Sequence, residues 1–230
     1  MLLTEMTITI WLGISAGVVQ MLGYFLYMKD EKIDPNPVTW FMLAYGTAIL
    51  TVLEWDANAT WSELILPASC AVLGIAVSTI CWRKARKINP SKWWPEDWWP
   101  EDKFEQLSFL SDAIITVGYI VAWYLATWAL LSSENREFAV FTFLFLSNIS
   151  TFPALYPLIR QTYLDPTKEN WKPWAVWTIA YVLLALTTYT IHGTFWHMLM
   201  FYPLSNIFLH ALVAWLARPS AQARIKNRVC

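Results

Sequence analysis

The sequence predicts an all-α, polytopic membrane protein: seven transmembrane helices forming two parallel three-helix bundles joined by an inverter helix. Three observations predict it. Hydrophobic residues make up 57% of the 230 residues and charged residues only 14%, against about a quarter charged in a soluble domain. The charges are segregated, with long apolar stretches nearly free of them and short connections holding almost all. The basic residues also alternate between the two sides of the chain in the manner that sets membrane orientation.

A spanning helix needs about 20 apolar residues. Seven segments meet that need: Thr7–Met28, Val38–Glu54, Leu64–Trp82, Leu107–Leu131, Phe138–Leu158, Trp174–Ile191 and Phe195–Leu216. The second and sixth are short, and the fourth is long enough to tilt. Several of the 16 tryptophans stand near segment ends, where an amphipathic ring prefers the headgroup layer (Trp11, Trp55, Trp61, Trp82, Trp174). Glu54 falls at a boundary and is expected to be solvated.

Orientation follows from lysine and arginine. Lys29 and Lys32 lie in the first connection. Arg83, Lys84, Arg86, Lys87, Lys92 and Lys103 lie in the third. Arg160, Lys168 and Lys172 lie in the fifth, and Arg218, Arg224, Lys226 and Arg228 in the tail. The opposite side carries Arg136 alone. This asymmetry places the N-terminus outside and the C-terminus in the cytoplasm. The first apolar stretch follows Glu5 and no basic residue, so no cleavable signal peptide is expected. A formal net charge of −1 gives no reason to expect nucleic acid. Cys70, Cys81 and Cys230 make no disulfide framework.

The third connection contains a tandem repeat, Trp93-Trp94-Pro95-Glu96-Asp97 followed by Trp98-Trp99-Pro100-Glu101-Asp102. Proline rules out a long helix there. The segment reads as an interfacial tryptophan strip or as a docking element for a protein partner.

A second repeat is longer. At an offset of 136, Tyr27 falls on Tyr163, Pro37 on Pro173, Ala44-Tyr45 on Ala180-Tyr181, and Thr51 on Thr187. Pro67 and Ser69 fall on Pro203 and Ser205, and Leu73 and Val77 on Leu209 and Val213. No gaps are needed. The first three spans thus align with the last three. Three spans reverse direction, so one linking span restores it and the halves run parallel. The organisation is a first repeat at 1–83, a Trp-rich cytoplasmic segment at 84–106, the linker helix at 107–131, a second repeat at 138–217 and a basic cytoplasmic tail at 218–230.

Two stretches carry a family likeness. One is Asp34-Pro35-Asn36-Pro37-Val38-Thr39-Trp40, leading into the second span. The other is Pro153-Ala154-Leu155-Tyr156-Pro157-Leu158-Ile159-Arg160, with Asp165-Pro166-Thr167-Lys168-Glu169 leading to the sixth. With the 3+1+3 arrangement they resemble the PQ-loop and SWEET superfamily of transporters, in a bacterial branch. The naming Pro-Gln dipeptide is absent. Pro153 and Pro157 lie where it would fall, and the first span offers Gly13, Gly17 and Gly23 instead of proline. The resemblance implies a carrier in the bacterial cytoplasmic membrane, moving a small polar solute (sugar-, nucleoside- or vitamin-like) by alternating access. The site would lie between the bundles, and helix breaks at Pro67, Pro153, Pro157 and Pro203 would act as hinges.

Polar groups within spans are expensive in lipid, so they should face the bundle interior. The richest stretch is Ser147-Asn148-Ile149-Ser150-Thr151. Ser205, Asn206 and His210 stand in the seventh span, Ser69 and Cys70 in the third, and Gln20 in the first. The substrate-binding expectation is Asn148, Ser205, Asn206, Ser69, Trp177, Tyr181 and Tyr45, with Trp40 as a further aromatic. The resemblance implies a solute-binding role for Asn206, with Cys70 in its place in the first repeat. Asp112, a carboxylate within the fourth span, is the candidate for proton or ion coupling, with Asn148 as an expected partner.

Other classes fare worse. A retinal protein needs a lysine in its last span, and no span holds one. His197 and His210 are 13 residues apart, about 20 Å along one helix, too far to share a metal. No enzyme, no metal site and no cofactor is expected, since motifs for ATP, flavin or haem are missing. The expected partners are the lipid bilayer and a small solute. The alternative is a non-transporting scaffold or accessory subunit, docked through Trp93–Asp102.

Overall fold

The computed structural model describes residues 2–30, 37–88, 103–127 and 132–221. The tandem Trp repeat at 93–102, Asp34 to Asn36, and the tail from residue 222, with Cys230, lie outside them.

Seven long helices account for most of the described residues: α1 (Leu2–Lys29), α2 (Pro37–Asp56), α3 (Trp61–Ile88), α4 (Lys103–Thr127), α5 (Ser133–Leu164), α6 (Trp171–His192) and α7 (Phe201–Leu216). Six are long and apolar enough to cross a membrane: α1 from Met6, α3 to Arg83, α4, α5, α6, and α7 with the turn before it from Met198. That is the make-up of an integral membrane protein. α2 stands outside the six and ends on Glu54 and Asp56.

Several helices outrun the expected apolar segments. α5 has 32 residues, about 48 Å at 1.5 Å per residue, against a hydrocarbon layer of about 30 Å. Hydropathy marks only the part at lipid depth, whereas local capping decides where a helix stops. Ser132 caps α5 by accepting from the Asn135 backbone N–H, and Asn170 caps α6 through the Lys172 N–H. Thr60 and Glu63 form a capping box at the start of α3, where the Glu63 carboxylate accepts the Thr60 N–H at 2.9 Å. Gly193, at φ +68°, ends α6 in the left-handed region that suits glycine. The expected span from Phe195 is therefore broken. Phe195 to His197 form turns, Met198–Met200 a 3-10 turn, and α7 begins at Phe201.

The helices pack in a definite pattern. α1 makes its largest seam with α6 and a second with α3. α2 packs on α3, α6 on α7, and α4 on α5. Smaller seams join α2 to α5 and α5 to α7.

The cross-section is inverted relative to a soluble protein. Large apolar side chains cover the outside, including Trp11, Val18, Phe25, Val72, Ile114, Val117, Phe138 and Phe208. Polar side chains are inside: Gln20, Ser108, Asp112, Ser147, Asn148, Thr187, Asn206 and His210 are buried. A continuous apolar exterior of this extent requires an apolar solvent. Many hydroxyls are satisfied within their own helix, as where Thr47 donates to Leu43 O and Thr187 to Leu183 O. That is the economical solution where no water is at hand.

Two boundary expectations are corrected here. Trp174 is not an interfacial anchor, since its ring is 1% exposed in the core. Its indole N–H is satisfied internally, so nothing requires it to reach the headgroups. Glu54 is not solvated either, being 3% exposed, because the short α2–α3 connection folds α3 over it. Trp11, Trp55 and Trp61 do stand outside.

Candidate functional site

All seven helices contribute to one central cavity. Gln20 and Tyr24 come from α1, and Trp40, Gly46 and Thr47 from α2. Cys70 comes from α3, and Ser108 and Asp112 from α4. Ser147, Ser150 and Thr151 come from α5, Trp174, Trp177 and Tyr181 from α6, and Tyr202, Asn206 and His210 from α7. Its volume is about 60 Å³. That holds a few waters and lies far below the ~300 Å³ or more of a small-molecule pocket. The cavity is narrow, with polar and aromatic side chains filling most of the space between the helices.

One wall is a chain of hydrogen bonds. Gln20 Nε2 donates to Cys70 Sγ at 2.9 Å, and the Tyr24 hydroxyl donates to Cys70 O at 3.3 Å. The Tyr181 hydroxyl meets Cys70 Sγ at 3.6 Å and the Tyr202 hydroxyl at 3.1 Å. Trp177 Nε1 donates to the Gln20 carbonyl at 3.2 Å. Gln20 Oε1 remains buried without a partner, and such an acceptor costs about 1–3 kcal/mol.

A second wall holds the carboxylate. Asp112 is 4% exposed. Its expected partner Asn148 is not its neighbour in hydrogen bonding, which is a correction. Ser150 Oγ stands 2.5 Å from Asp112 Oδ1, and also 2.8 Å from Ser147 O. Ser150 has one hydroxyl hydrogen for these two acceptors, and Ser147 O also accepts the Thr151 hydroxyl at 3.4 Å. Asn148 instead donates to Leu144 O at 2.9 Å, and its Oδ1 is buried unpartnered.

Aromatic rings fill the rest. Tyr24, Trp40 and Trp177 touch one another with centroids 5.1 to 6.0 Å apart. His210 packs on Trp174 and Tyr181 at 5.2 and 4.8 Å, and its Nδ1 lies 2.8 Å from Asn206 O.

Polar contacts stand at each end of α6. At the α5–α6 end, Trp174 Nε1 donates to Glu169 Oε2 at 2.9 Å, and Asn170 Nδ2 donates to Asp30 Oδ2 at 2.6 Å. This ties the end of α1 to the start of α6. Burial, with the Asp30 carboxylate adding to it, pushes the Glu169 carboxyl up to about 7. At the opposite end, Glu63 Oε1 meets His192 Nε2 at 3.0 Å. The His192 and His197 rings stack 3.6 Å apart at 7°. Burial and then the neighbouring His192 hold the His197 imidazole below its ordinary value.

Of the expected site residues, the fold brings Asp112, Asn206, Trp177 and Tyr181 to the cavity, and Cys70 with Asn206 as its counterpart. It does not bring Asn148, Ser205, Ser69 or Tyr45 there. Ser205 donates to Tyr202 O and Ser69 to Leu66 O. The Tyr45 hydroxyl pairs with Thr116 of α4 at 2.6 Å. Pro67, Pro153 and Pro157 lie inside helices, whereas Pro203 sits in the first turn of α7. Proline costs little there, since that turn's N–H groups lack helical partners anyway. Tyr202 and Tyr24 were missed. Their i, i+4 spacing to Asn206 and Gln20 was the available signal.

In comparisons with known proteins, no family model, no curated protein and no solved structure matches this chain.

Proposed function

We propose that the chain is a membrane carrier for a small polar solute, working by alternating access around the central cavity. The observation that carries this is a cavity lined by buried polar and aromatic side chains drawn from every one of the seven helices. A scaffold gains nothing from burying Asp112, Gln20 and Asn206 around a void, since apolar packing costs less.

The packing pattern supports a two-bundle reading. Adding 136 turns α1, α2 and α3 into α5, α6 and α7. The α1–α3 and α2–α3 seams become α5–α7 and α6–α7, and the α1–α6 seam becomes α5–α2. All six seams are present. On this reading α2 is a seventh span, α4 is the inverter, and the two triplets run parallel. The N-terminus is outside and the C-terminus in the cytoplasm. The family is the PQ-loop and SWEET-like one, in a bacterial cytoplasmic membrane. Asn206 and Cys70 then occupy equivalent places facing the solute. Trp177 and Tyr181 supply its aromatic wall, and the Glu169–Trp174 and Glu63–His192 contacts are the two gates.

The test is thermal unfolding of the purified protein against sugars, nucleosides, amino acids and vitamins. A ligand that binds only the folded state raises its apparent stability. Stabilisation by one class, lost in Asn206→Ala, supports the carrier. No stabilisation, with a protein copurifying at fixed ratio, favours the accessory subunit instead.

A further inference from the structure

The carrier reading leaves the solute's charge open, and the cavity's composition narrows it. Among the lining side chains stands one carboxylate, Asp112, and no lysine or arginine. Asp112 is buried, and the hydrogen bonds to its side chain come from Ser150 alone among those described. Its Oδ2 occupies the space over Gly46, where a Cβ would stand 2.7 Å away. The α2 backbone therefore packs directly against the carboxylate, and both residues line the cavity. The remaining titratable neighbours are neutral hydroxyls, the Cys70 thiol and His210, whose Nδ1 is engaged at Asn206 O. A buried carboxylate without a counter-charge is costly.

Two further observations point to the missing group. Tyr24, Trp40 and Trp177 form a three-ring cluster with mutual centroid distances of 5.7, 5.1 and 6.0 Å. Aromatic faces attract organic cations, tryptophan most strongly. Gln20 Oε1, 2% exposed as a residue and unpartnered, offers a free acceptor in the same lining.

We propose that the solute is a small organic cation, its charged nitrogen balanced by Asp112 and held against the Tyr24–Trp40–Trp177 rings. A hydroxyl or N–H of the solute donates to Gln20 Oε1. This rests on the carrier reading, because a cavity of about 60 Å³ must widen to admit any such molecule.

The test is thermal unfolding of the full chain in an uncharged detergent, with two matched pairs of probes. Choline is compared with its neutral isostere 3,3-dimethyl-1-butanol, and benzylamine with benzyl alcohol. At least one cation is expected to raise the melting temperature with saturation, and its neutral partner to leave it unchanged. Asp112→Asn is expected to raise the concentration needed at least tenfold. Trp177→Phe, which keeps a ring, is expected to weaken the cation's effect less than Trp177→Leu. If D112N fails to fold, the contrast within each pair still decides. Equal action of cation and isostere, or stabilisation by neutral sugars or nucleosides alone, overturns the cation assignment and leaves the carrier intact. Stabilisation by no solute of any charge overturns both.

Discussion

The indole nitrogen of Trp177 on α6 donates to the backbone carbonyl of Gln20 on α1, and Gly23, one turn on, makes room for the ring. A Cβ at Gly23 would stand 2.3 Å from Trp177 Nε1. The longest seam of the molecule thus depends on a missing side chain, and that seam also forms a wall of the cavity.

Gly23→Ala is therefore expected to be destabilising. Trp177 is 1% exposed, and its ring is packed against Tyr24, Tyr27, Trp40 and Trp174. Overpacking of this kind costs about 1–3 kcal/mol. The melting temperature should fall, and any solute-dependent stabilisation should weaken with it. Adding Trp177→Phe should restore part of the loss, giving a strongly non-additive double-mutant cycle. Additive effects would show that the ring and the glycine are not coupled.

Glu169 makes stability depend on pH. Burial raises its carboxyl from 4.5 to about 7, so the folded state holds the proton more tightly than the unfolded chain does. The favourable contribution is complete below about pH 4.5. It is lost as pH rises toward 7, by up to ~3 kcal/mol. Glu169→Gln keeps an acceptor for Trp174 Nε1 and has nothing to ionise. Denaturation curves between pH 4.5 and 7.5 should slope downward for the native protein and be flatter for the variant.

Glu63 does two jobs with its two oxygens. Oε2 accepts the Thr60 N–H at 2.9 Å and closes the start of α3, while Oε1 meets His192 at 3.0 Å. Glu63→Ala removes the box partner and the tie to α6 together. The expected cost is about 2 kcal/mol. Glu63→Gln keeps an acceptor for one partner and should cost about half as much. Thermal unfolding of the two variants checks the order.

Gly46→Ala addresses the carboxylate without removing it. The new methyl would displace Asp112 Oδ2, the far end of a short side chain, at modest cost to the fold. The Ser150 contact should shift and solute-dependent stabilisation should drop about tenfold, whereas Gly46→Ser should do no better. Unchanged ligand response would mean that Asp112 is not positioned from α2.

The positions of the long helices along the chain were legible in the sequence, and rotation about each helix was not. Hydropathy placed the apolar segments because lipid demands them, and the offset of 136 paired Cys70 with Asn206, which do share the cavity. In lipid the outward face is as apolar as the core, so no hydrophobic stripe says which way a helix turns. Successive residues differ by about 100°. Ser147, Ser150, Thr151 and Ala154 therefore face the cavity while Asn148, one step on, does not. Tyr202, Asn206 and His210 likewise face in, and Ser205 faces away. Trp174 misled because a tryptophan near a segment end reads as an anchor unless a buried acceptor such as Glu169 claims its N–H. The break before Phe201 depended on Gly193 and on the His197 ring, whose Nδ1 accepts from Leu199 N–H. Neither interrupts the hydropathy.

Cys70 offers the most direct measurement of the central claim. Cys70 lines the cavity and is 4% exposed. With Cys81 and Cys230 changed to serine, sealed vesicles of both orientations would be treated with a charged methanethiosulfonate reagent that does not cross bilayers. A carrier that opens alternately predicts slow labelling of Cys70 from either face, hindered when the stabilising solute is present. A Cys70 that never reacts from either side while the protein stays folded would contradict it.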